Sequence, residues 1–365
     1  MSAQWEWLKH PGAPFTQLGE QSYTRHWSYL APDHLGNVFT YSTVNDLTNL
    51  TIPIPPNPAF SDIPGTIRVV KTVPKTGAVE WDFAPTLGSS IDAANRIGVV
   101  FGAVCDASNN LFLFMKWAND PTPDGVGEIR NICSIAKIGP DGATVDRFLT
   151  VNLPSSGWPA DGGFTVDSDG NFYVLTPRTH MITKISADGT VDEFWFDMFG
   201  AGLGPEFSWA WNAPVLEFVA PDKLFVVGSL NVNGPLAWIS VVDKSVVTLP
   251  IDVSPVAPSV VDSPDPVGAI DASVHGGEIF LVSGTNVLKL SGDRLVPLVS
   301  VVDQPTPVSF EALHAVGVSL DGIVTWTWVQ NSLATFDWGG DMLLAKIGVP
   351  DLFGNFSRGG LSFQR

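Results

Sequence analysis

Gly163-Phe164-Thr165-Val166-Asp167-Ser168-Asp169-Gly170-Asn171-Phe172-Tyr173-Val174 is the stretch that decides the fold. It continues through Met181-Ile182-Thr183-Lys184-Ile185 and Asp188-Gly189-Thr190-Val191-Asp192-Glu193-Phe194. Phe164 and Val166 fall on one face of an extended chain, Gly163 and Thr165 on the other, and this period-two alternation marks a strand. Asp169-Gly170 reads as a two-residue hairpin, with glycine supplying the positive φ such a turn requires. The unit reads as four short strands punctuated by Asp-Gly turns.

The strand, turn, strand pattern recurs outward from this stretch. It is found at Ser28 to Tyr41 around Leu35-Gly36-Asn37, at Phe101 to Phe114 around Asn109-Asn110, and at Pro214 to Val227 around Asp222-Lys223. Further copies lie at Ala269 to Val282 around Gly276-Gly277 and at His314 to Thr327 around Asp321-Gly322. The turns are spaced by roughly 45 to 73 residues, which suits one four-stranded sheet per copy plus variable loops. Third strands are expected at Thr66 to Thr72, Ile132 to Ile138, Ala237 to Val242, Asn286 to Leu290 and Leu343 to Ile347. These copies predict an all-β fold, a six-bladed β-propeller of four-stranded antiparallel blades, with residues 1–365 as a single domain. Closure of the ring is expected from Phe15 to Glu20 or from Phe356 to Phe363, either of which would cover an exposed edge. The Pro-rich stretches Ile52 to Pro64, Asp120 to Asp124 and Val253 to Pro266 read as surface loops.

Composition narrows the function. With 19 Lys+Arg against 37 Asp+Glu the formal charge is −18, so binding to nucleic acid, which needs gathered basic residues, is not expected. The chain is 45% hydrophobic and 15% charged, against about 25% charged in an ordinary domain, and can bury a large core. No apolar run of about 18 residues predicts a membrane span, and no basic region leads an apolar one at the amino terminus. A cytoplasmic location is therefore expected. Cys105 and Cys133 have no metal-type spacing and read as buried thiols.

The Gly163 to Val174 stretch, with Thr179-His180 after it, resembles an NHL repeat in its glycine, aliphatic, Val-Asp, Asp-Gly-Asn and histidine positions. Ile182-Thr183-Lys184-Ile185 through Glu193-Phe194 is similar to repeats of the virginiamycin B lyase family. The arrangement of copies looks like that of the gluconolactonase, senescence-marker and strictosidine-synthase superfamily. What this resemblance implies is a propeller and a site on its axis, with hydrolases, lyases, cyclases and binding modules all represented. The gluconolactonase resemblance also implies a metal held by a glutamate opening the first inner strand. That place is taken here by about Trp27, and no Pro-Asn-Gly element stands where a second ligand is expected.

In such a fold the first strand of each blade lines the axis. Aligning the copies on their turns places Tyr29, Gly102, Gly163, Val215, Ile270 and Ala315 at one level, and Ala31, Val104, Thr165, Glu217, Ala272 and Gly317 at the next. Glu217 is the outlier among small residues, and desolvation in a narrow channel would disfavour its charged form. Just before these strands stand Arg25-His26-Trp27, Asp161, Trp211-Asn212, Asp265, Glu311 and His314, a polar and aromatic set suited to a pocket rim. His26 and His314 belong to the first and last copies, which meet when the ring closes, and histidine suits proton transfer near neutral pH.

The 13 tryptophans show no once-per-blade register of the kind a repeated sugar site needs, so most are expected in packing. There is no G-x-S-x-G elbow, P-loop, dinucleotide fingerprint or H-E-x-x-H. The expected activity is that of a small-molecule enzyme of lyase, cyclase or isomerase type, without a nucleotide cofactor, acting on a largely apolar metabolite. His26, His314, Glu217 and Asp161 are its expected catalytic residues. Trp27, Tyr29, Trp211, Asn212 and Glu311 are expected to bind the substrate. The alternatives are a metal-dependent lactonase or esterase, which would carry calcium or zinc, and a non-enzymatic interaction propeller. The oligomeric state is not legible.

Overall fold

The computed structural model describes residues 4–9, 28–33, 38–45, 65–73, 78–83, 96–118, 131–140, 145–153, 163–176, 181–203, 215–227, 236–249, 269–275, 277–283, 286–292, 294–300, 310–319, 322–329 and 341–348. The strand β1 (Gln4–Lys9) is followed by β2 (Ser28–Pro32), β3 (Val38–Asn45), β4 (Gly65–Val73) and β5 (Ala78–Phe83). Next come β6 (Arg96–Cys105), β7 (Leu111–Ala118), β8 (Asn131–Ile138) and β9 (Val145–Leu153), then β10 (Phe164–Val166), β11 (Phe172–Thr176), β12 (Met181–Ile185) and β13 (Val191–Asp197). The chain continues through β14 (Val215–Val219), β15 (Lys223–Val227), β16 (Leu236–Ser240) and β17 (Val246–Leu249), and through β18 (Ala269–His275), β19 (Glu278–Ser283), β20 (Asn286–Ser291) and β21 (Arg294–Ser300). The last described strands are β22 (Phe310–Ser319), β23 (Gly322–Val329) and β24 (Asp341–Gly348).

Four sheets stand as separate four-stranded blades: β10 to β13, β14 to β17, β18 to β21, and β22 to β24 completed by β1. Strands β2 to β9 form one eight-stranded sheet, whose halves, β2 to β5 and β6 to β9, meet where Gly65 pairs with Ile97. The first strands β2, β6, β10, β14, β18 and β22 are neighbours in that cyclic order, β22 lying beside β2. The chain is thus an all-β propeller of antiparallel four-stranded blades. Strand β1 closes the last blade by pairing antiparallel with β24, Gln4 opposite Gly348 and Lys9 opposite Leu344. Closure therefore falls to Gln4–Lys9, upstream of both segments expected for it; the sequence Trp5-Glu6-Trp7-Leu8 carries the alternation a closing strand needs.

The core lies between the faces of adjoining blades. Phe112 and Phe114 from β7 meet Phe164, Val166 and Phe172 across one such seam. The Phe114 and Phe164 rings stack with centroids 5.0 Å apart, and Phe164 stacks on Phe172 at 5.6 Å. The next seam holds Tyr173, Trp195, Leu216 and Leu224, and the one after it Val215, Phe225, Ala272 and Leu281. Along β14 the residues alternate between seams: Leu216 and Phe218 face the β10 blade, and Val215 and Val219 the β18 blade. This is the two-sided burial that a blade between two others demands.

The turn at Asp169-Gly170 differs from the two-residue hairpin expected. Val166 pairs with Phe172, leaving a five-residue loop, in which Gly170 (φ +81°) donates its N–H to the Asp167 carbonyl. Asp167 organises that loop: one carboxylate oxygen accepts the Asp169 and Asn171 N–H groups at 2.9 and 2.8 Å, and the other accepts Asn171 Nδ2 at 2.9 Å and the Tyr173 hydroxyl at 3.0 Å. Asp106 repeats the arrangement with Ser108, Asn110 and a left-handed Asn109. The outermost strands are protected differently. Register shifts mark β1, β5, β9, β13 and β21, and bulges of this kind spoil an edge for pairing with another chain.

Candidate functional site

Cross-strand register turns the repeats into transverse rows, each starting on the first strand. In the β10 blade the row is Thr165, Tyr173, Lys184; in the β18 blade it is Ser273, Phe280, Lys289. In the eight-stranded sheet the rows are Ala31, Phe39, Lys71 and Val104, Phe112, Lys137. In the β22 blade it is Gly317, Val324, Lys346. Lys184 Nζ lies 5.8 Å from the Tyr173 ring centroid and Lys289 Nζ 5.9 Å from that of Phe280, so the lysines cover their row's ring. The β14 blade departs from the pattern at two places: its row is Glu217, Phe225, Trp238. The sign of the row's charge is reversed, and the charge has moved from the third strand to the first.

Glu217 lies between Val215 and Val219, on the face of β14 turned to the β18 blade, and is half-exposed while those two are buried. The equivalent hydroxyls are committed to the fold. Thr165, 1% exposed, accepts the Phe218 N–H at 3.0 Å, and Ser273, 2% exposed, accepts the Val318 N–H at 3.2 Å. Each ties one blade's first strand to the next. Gly102 completes the crowding: a Cβ there would stand 2.8 Å from the Phe164 Cβ.

These rows correct the turn-based alignment in one blade. Ala272 packs back into the seam shared with Val215 and Phe225, and Ser273 takes the place equivalent to Thr165 and Glu217. Asp271, opposite Val282, then takes the register position that turn alignment gave to Ile270. Turn lengths cause the slip: two residues separate His275 from Glu278, five separate Val166 from Phe172. A one-residue slip moves every side chain to the other face. Asp271 is thus an acidic residue on a first strand that the sequence reading passed over, and anchoring on the Phe/Tyr of the second strands would have found it.

The leading halves of three first strands are irregular. Shifts fall between Ile97 and Val99 and between Val100 and Gly102 in β6, and between Ala269 and Asp271 in β18. In β22 they fall between Phe310 and Leu313 and between Leu313 and Ala315, which places Glu311 and His314 in bulged backbone. Bulges of this sort re-aim side chains beside functional sites. Tyr29 lies on β2, opposite Tyr41. Of the expected site residues, Tyr29, Glu217, Glu311 and His314 are thus on first strands; His26, Trp27, Asp161, Trp211 and Asn212 lie outside the described residues. Among the described residues no group of three or more His, Cys, Asp or Glu is arranged to hold a metal ion, and no helix is long and apolar enough to cross a membrane.

No protein-family model matches the chain, and no curated protein matches it. Solved structures similar to it include a Bacteroides thetaiotaomicron VPI-5482 protein of unknown function, 12% identical, with a TM-score of 0.51 over 95% of this chain and 73% of that one. Virginiamycin B lyase from Staphylococcus aureus is 13% identical, with a TM-score of 0.42 over 94% of this chain and 99% of its own. A gluconolactonase-like protein is 11% identical, with a TM-score of 0.47 over 95% and 93%. The likeness is one of fold.

Proposed function

We propose that the chain is a six-bladed propeller with a small-molecule site at its axis, and that it works there as an enzyme of lyase, cyclase or isomerase type without a nucleotide cofactor. The ring of first strands and the consecutive pairing within each half of the eight-stranded sheet support six blades. The observation that carries the enzyme reading is Glu217. In the other rows described, this place holds a small or aliphatic residue, or a hydroxyl committed to the neighbouring strand. A carboxylate at a first-strand position that the other rows fill with small, aliphatic or hydroxyl residues is a group suited to proton transfer. Glu217 and Asp161 take the carboxylate roles, and His26 and His314 the acid–base or hydrogen-bonding roles. Trp27, Tyr29, Trp211, Asn212 and Glu311 form the walls against a substrate with an apolar body. Calcium would be the ion of a lactonase-type alternative.

The test is a fragment screen by thermal shift and calorimetry, using apolar-bodied esters, lactones, enones and amines, on the native protein and on Glu217→Gln and His314→Ala. Fragments that stabilise the native protein and lose at least tenfold in affinity in both variants support the reading. Equal binding by all three proteins, or no axial binder at all, overturns it. Failure would redirect attention to the blade rims, where Phe194, Phe199, Val242 and Val247 are exposed; these residues suit an interaction propeller.

A further inference from the structure

We infer that Thr165 is the positioning residue for Glu217, an assignment that rests on the axial-site reading above. Thr165 belongs to the β10 blade and Glu217 to the β14 blade, yet the two first strands are joined beside the carboxylate. The Phe218 N–H, one peptide beyond Glu217, donates to Thr165 Oγ1 at 3.0 Å. Phe218 is the penultimate residue of β14, and its side chain packs on the same seam as Tyr173 and Leu216. The residue following Glu217 is therefore held twice, by its amide and by its ring. A β-strand has two soft dihedrals per residue, and fixing the Glu217–Phe218 peptide restricts the ψ that aims Glu217.

The hydroxyl itself has little room to do anything else. Thr165 is 1% exposed, flanked by Phe164 and Val166, which pack on the opposite seam, and threonine is stiff at χ1. Its oxygen thus sits at a place set by two seams at once. The β18 blade supplies an internal comparison. Ser273 makes the same contact to the Val318 N–H at 3.2 Å, but the residue preceding Val318 is Gly317, which has no side chain to aim. Two similar latches join neighbouring blades, and one of them adjoins an ionisable group. If the latch served the scaffold alone, the two would be interchangeable in their effect on the axis.

Glu217 is open to direct observation through the carboxyl carbon of isotopically labelled glutamate, assigned by its disappearance in Glu217→Gln. Among the described residues, the other titratable groups on elements packed against β14 include Lys223 on β15, Tyr173 on β11, Asp271 and His275 on β18, and Asp167 just beyond β10. The assignment separates the Glu217 carboxyl from these groups. The proteins compared are the native chain, Thr165→Val, Thr165→Ala, Thr165→Ser and Ser273→Ala, each shown to be folded by near-ultraviolet circular dichroism. The expected result is a displaced carboxyl resonance, and a titration midpoint moved by about half a pH unit or more, in Thr165→Val and Thr165→Ala. Thr165→Ser restores the native titration, and Ser273→Ala leaves it unmoved although it loses a hydrogen bond of the same kind.

Native titration in both hydroxyl-deleted variants overturns the assignment, as does an equal displacement in Ser273→Ala. If Thr165→Val does not fold, Thr165→Ala against Thr165→Ser decides. Failure of the axial site itself looks different: Glu217 would titrate as Thr165 dictates, while fragment binding would be indifferent to Glu217→Gln.

Discussion

Replacing Asp167 by alanine tests the reasoning about the loops against a control within the same chain. Asp167 is 9% exposed and accepts four hydrogen bonds, at 2.9, 2.8, 2.9 and 3.0 Å. Asp106, more exposed, accepts three from the equivalent groups of its own loop, at 2.8, 2.9 and 2.8 Å. The fourth bond is the difference. Tyr173 stands six residues after Asp167, whereas Phe112 stands six after Asp106. A net hydrogen bond contributes about 1 kcal/mol, more when one partner is charged, and stranding a buried hydroxyl costs about 1–3 kcal/mol. The main-chain donors of either loop can turn to water, so Asp106→Ala is expected to cost about 1.5–2.5 kcal/mol. Asp167→Ala leaves the Tyr173 hydroxyl inside the seam and is expected to cost about 3–4 kcal/mol. Urea unfolding followed by tryptophan fluorescence measures both, and a double-mutant cycle with Tyr173→Phe should return a coupling of about 1–2 kcal/mol. Equal losses for the two aspartates, or a coupling below about 0.5 kcal/mol, would refute the account.

Gly102→Ala is expected to cost about 1–3 kcal/mol in the same urea assay, since the added methyl meets backbone-anchored Phe164 Cβ at 2.8 Å; a neutral result would mean that the first strands can move apart. Stability should also fall in alkali. Burial, with the Asp33 and Asp106 carboxylates adding to it and Lys71 opposing, pushes the Cys105 thiol up. Burial and the Asp167 carboxylate push the Tyr173 phenol up likewise. A group whose folded value is raised contributes stability in full below its unfolded value and loses it as pH rises, so the decline begins near about pH 8.5 for Cys105 and about pH 10 for Tyr173. Urea midpoints across pH 7 to 11 should show both limbs. Cys105→Ala should flatten the first and Tyr173→Phe the second, and a flat native profile would contradict both.

How far the sequence was legible depends on which spacing each feature obeys. Strands and turns announced themselves because alternation such as Phe164-Thr165-Val166 and glycines such as Gly170 are local signals, readable within a few residues. The expected third strands at Thr66 to Thr72 and Ile132 to Ile138 fall within β4 and β8 for the same reason. The site was harder, because facing the axis depends on register, and register depends on loop length. Glu217 was found because the β14 blade was aligned correctly with the β10 blade. Ser273 and Asp271 were missed because a two-residue turn was aligned with a five-residue loop. Bulges at Ala269 to Asp271 and around Glu311 and His314 carry no residue signature at all, being set by how the first strand meets its neighbours.

The tryptophans teach the complementary point. They show no once-per-blade register, yet an aromatic register exists, carried by Phe39, Phe112, Tyr173, Phe225 and Phe280 opposite the first-strand positions. Trp238 enters that scheme where a lysine stands in the other rows, in the one row whose first-strand residue is a carboxylate. Under the proposed axial site, a reversed charge in this row is the kind of local departure that function asks for. Lys223 Nζ, 5.8 Å from the Trp238 ring centroid, covers this ring from the start of β15. The ring is thus covered by a lysine, as Tyr173 and Phe280 are, but by one whose register position lies outside the row, opposite Val219 and Ser240. What remains peculiar to the β14 blade is that the peptide pinned by the neighbouring blade's hydroxyl adjoins a carboxylate, Glu217, where in the β22 blade it adjoins Gly317.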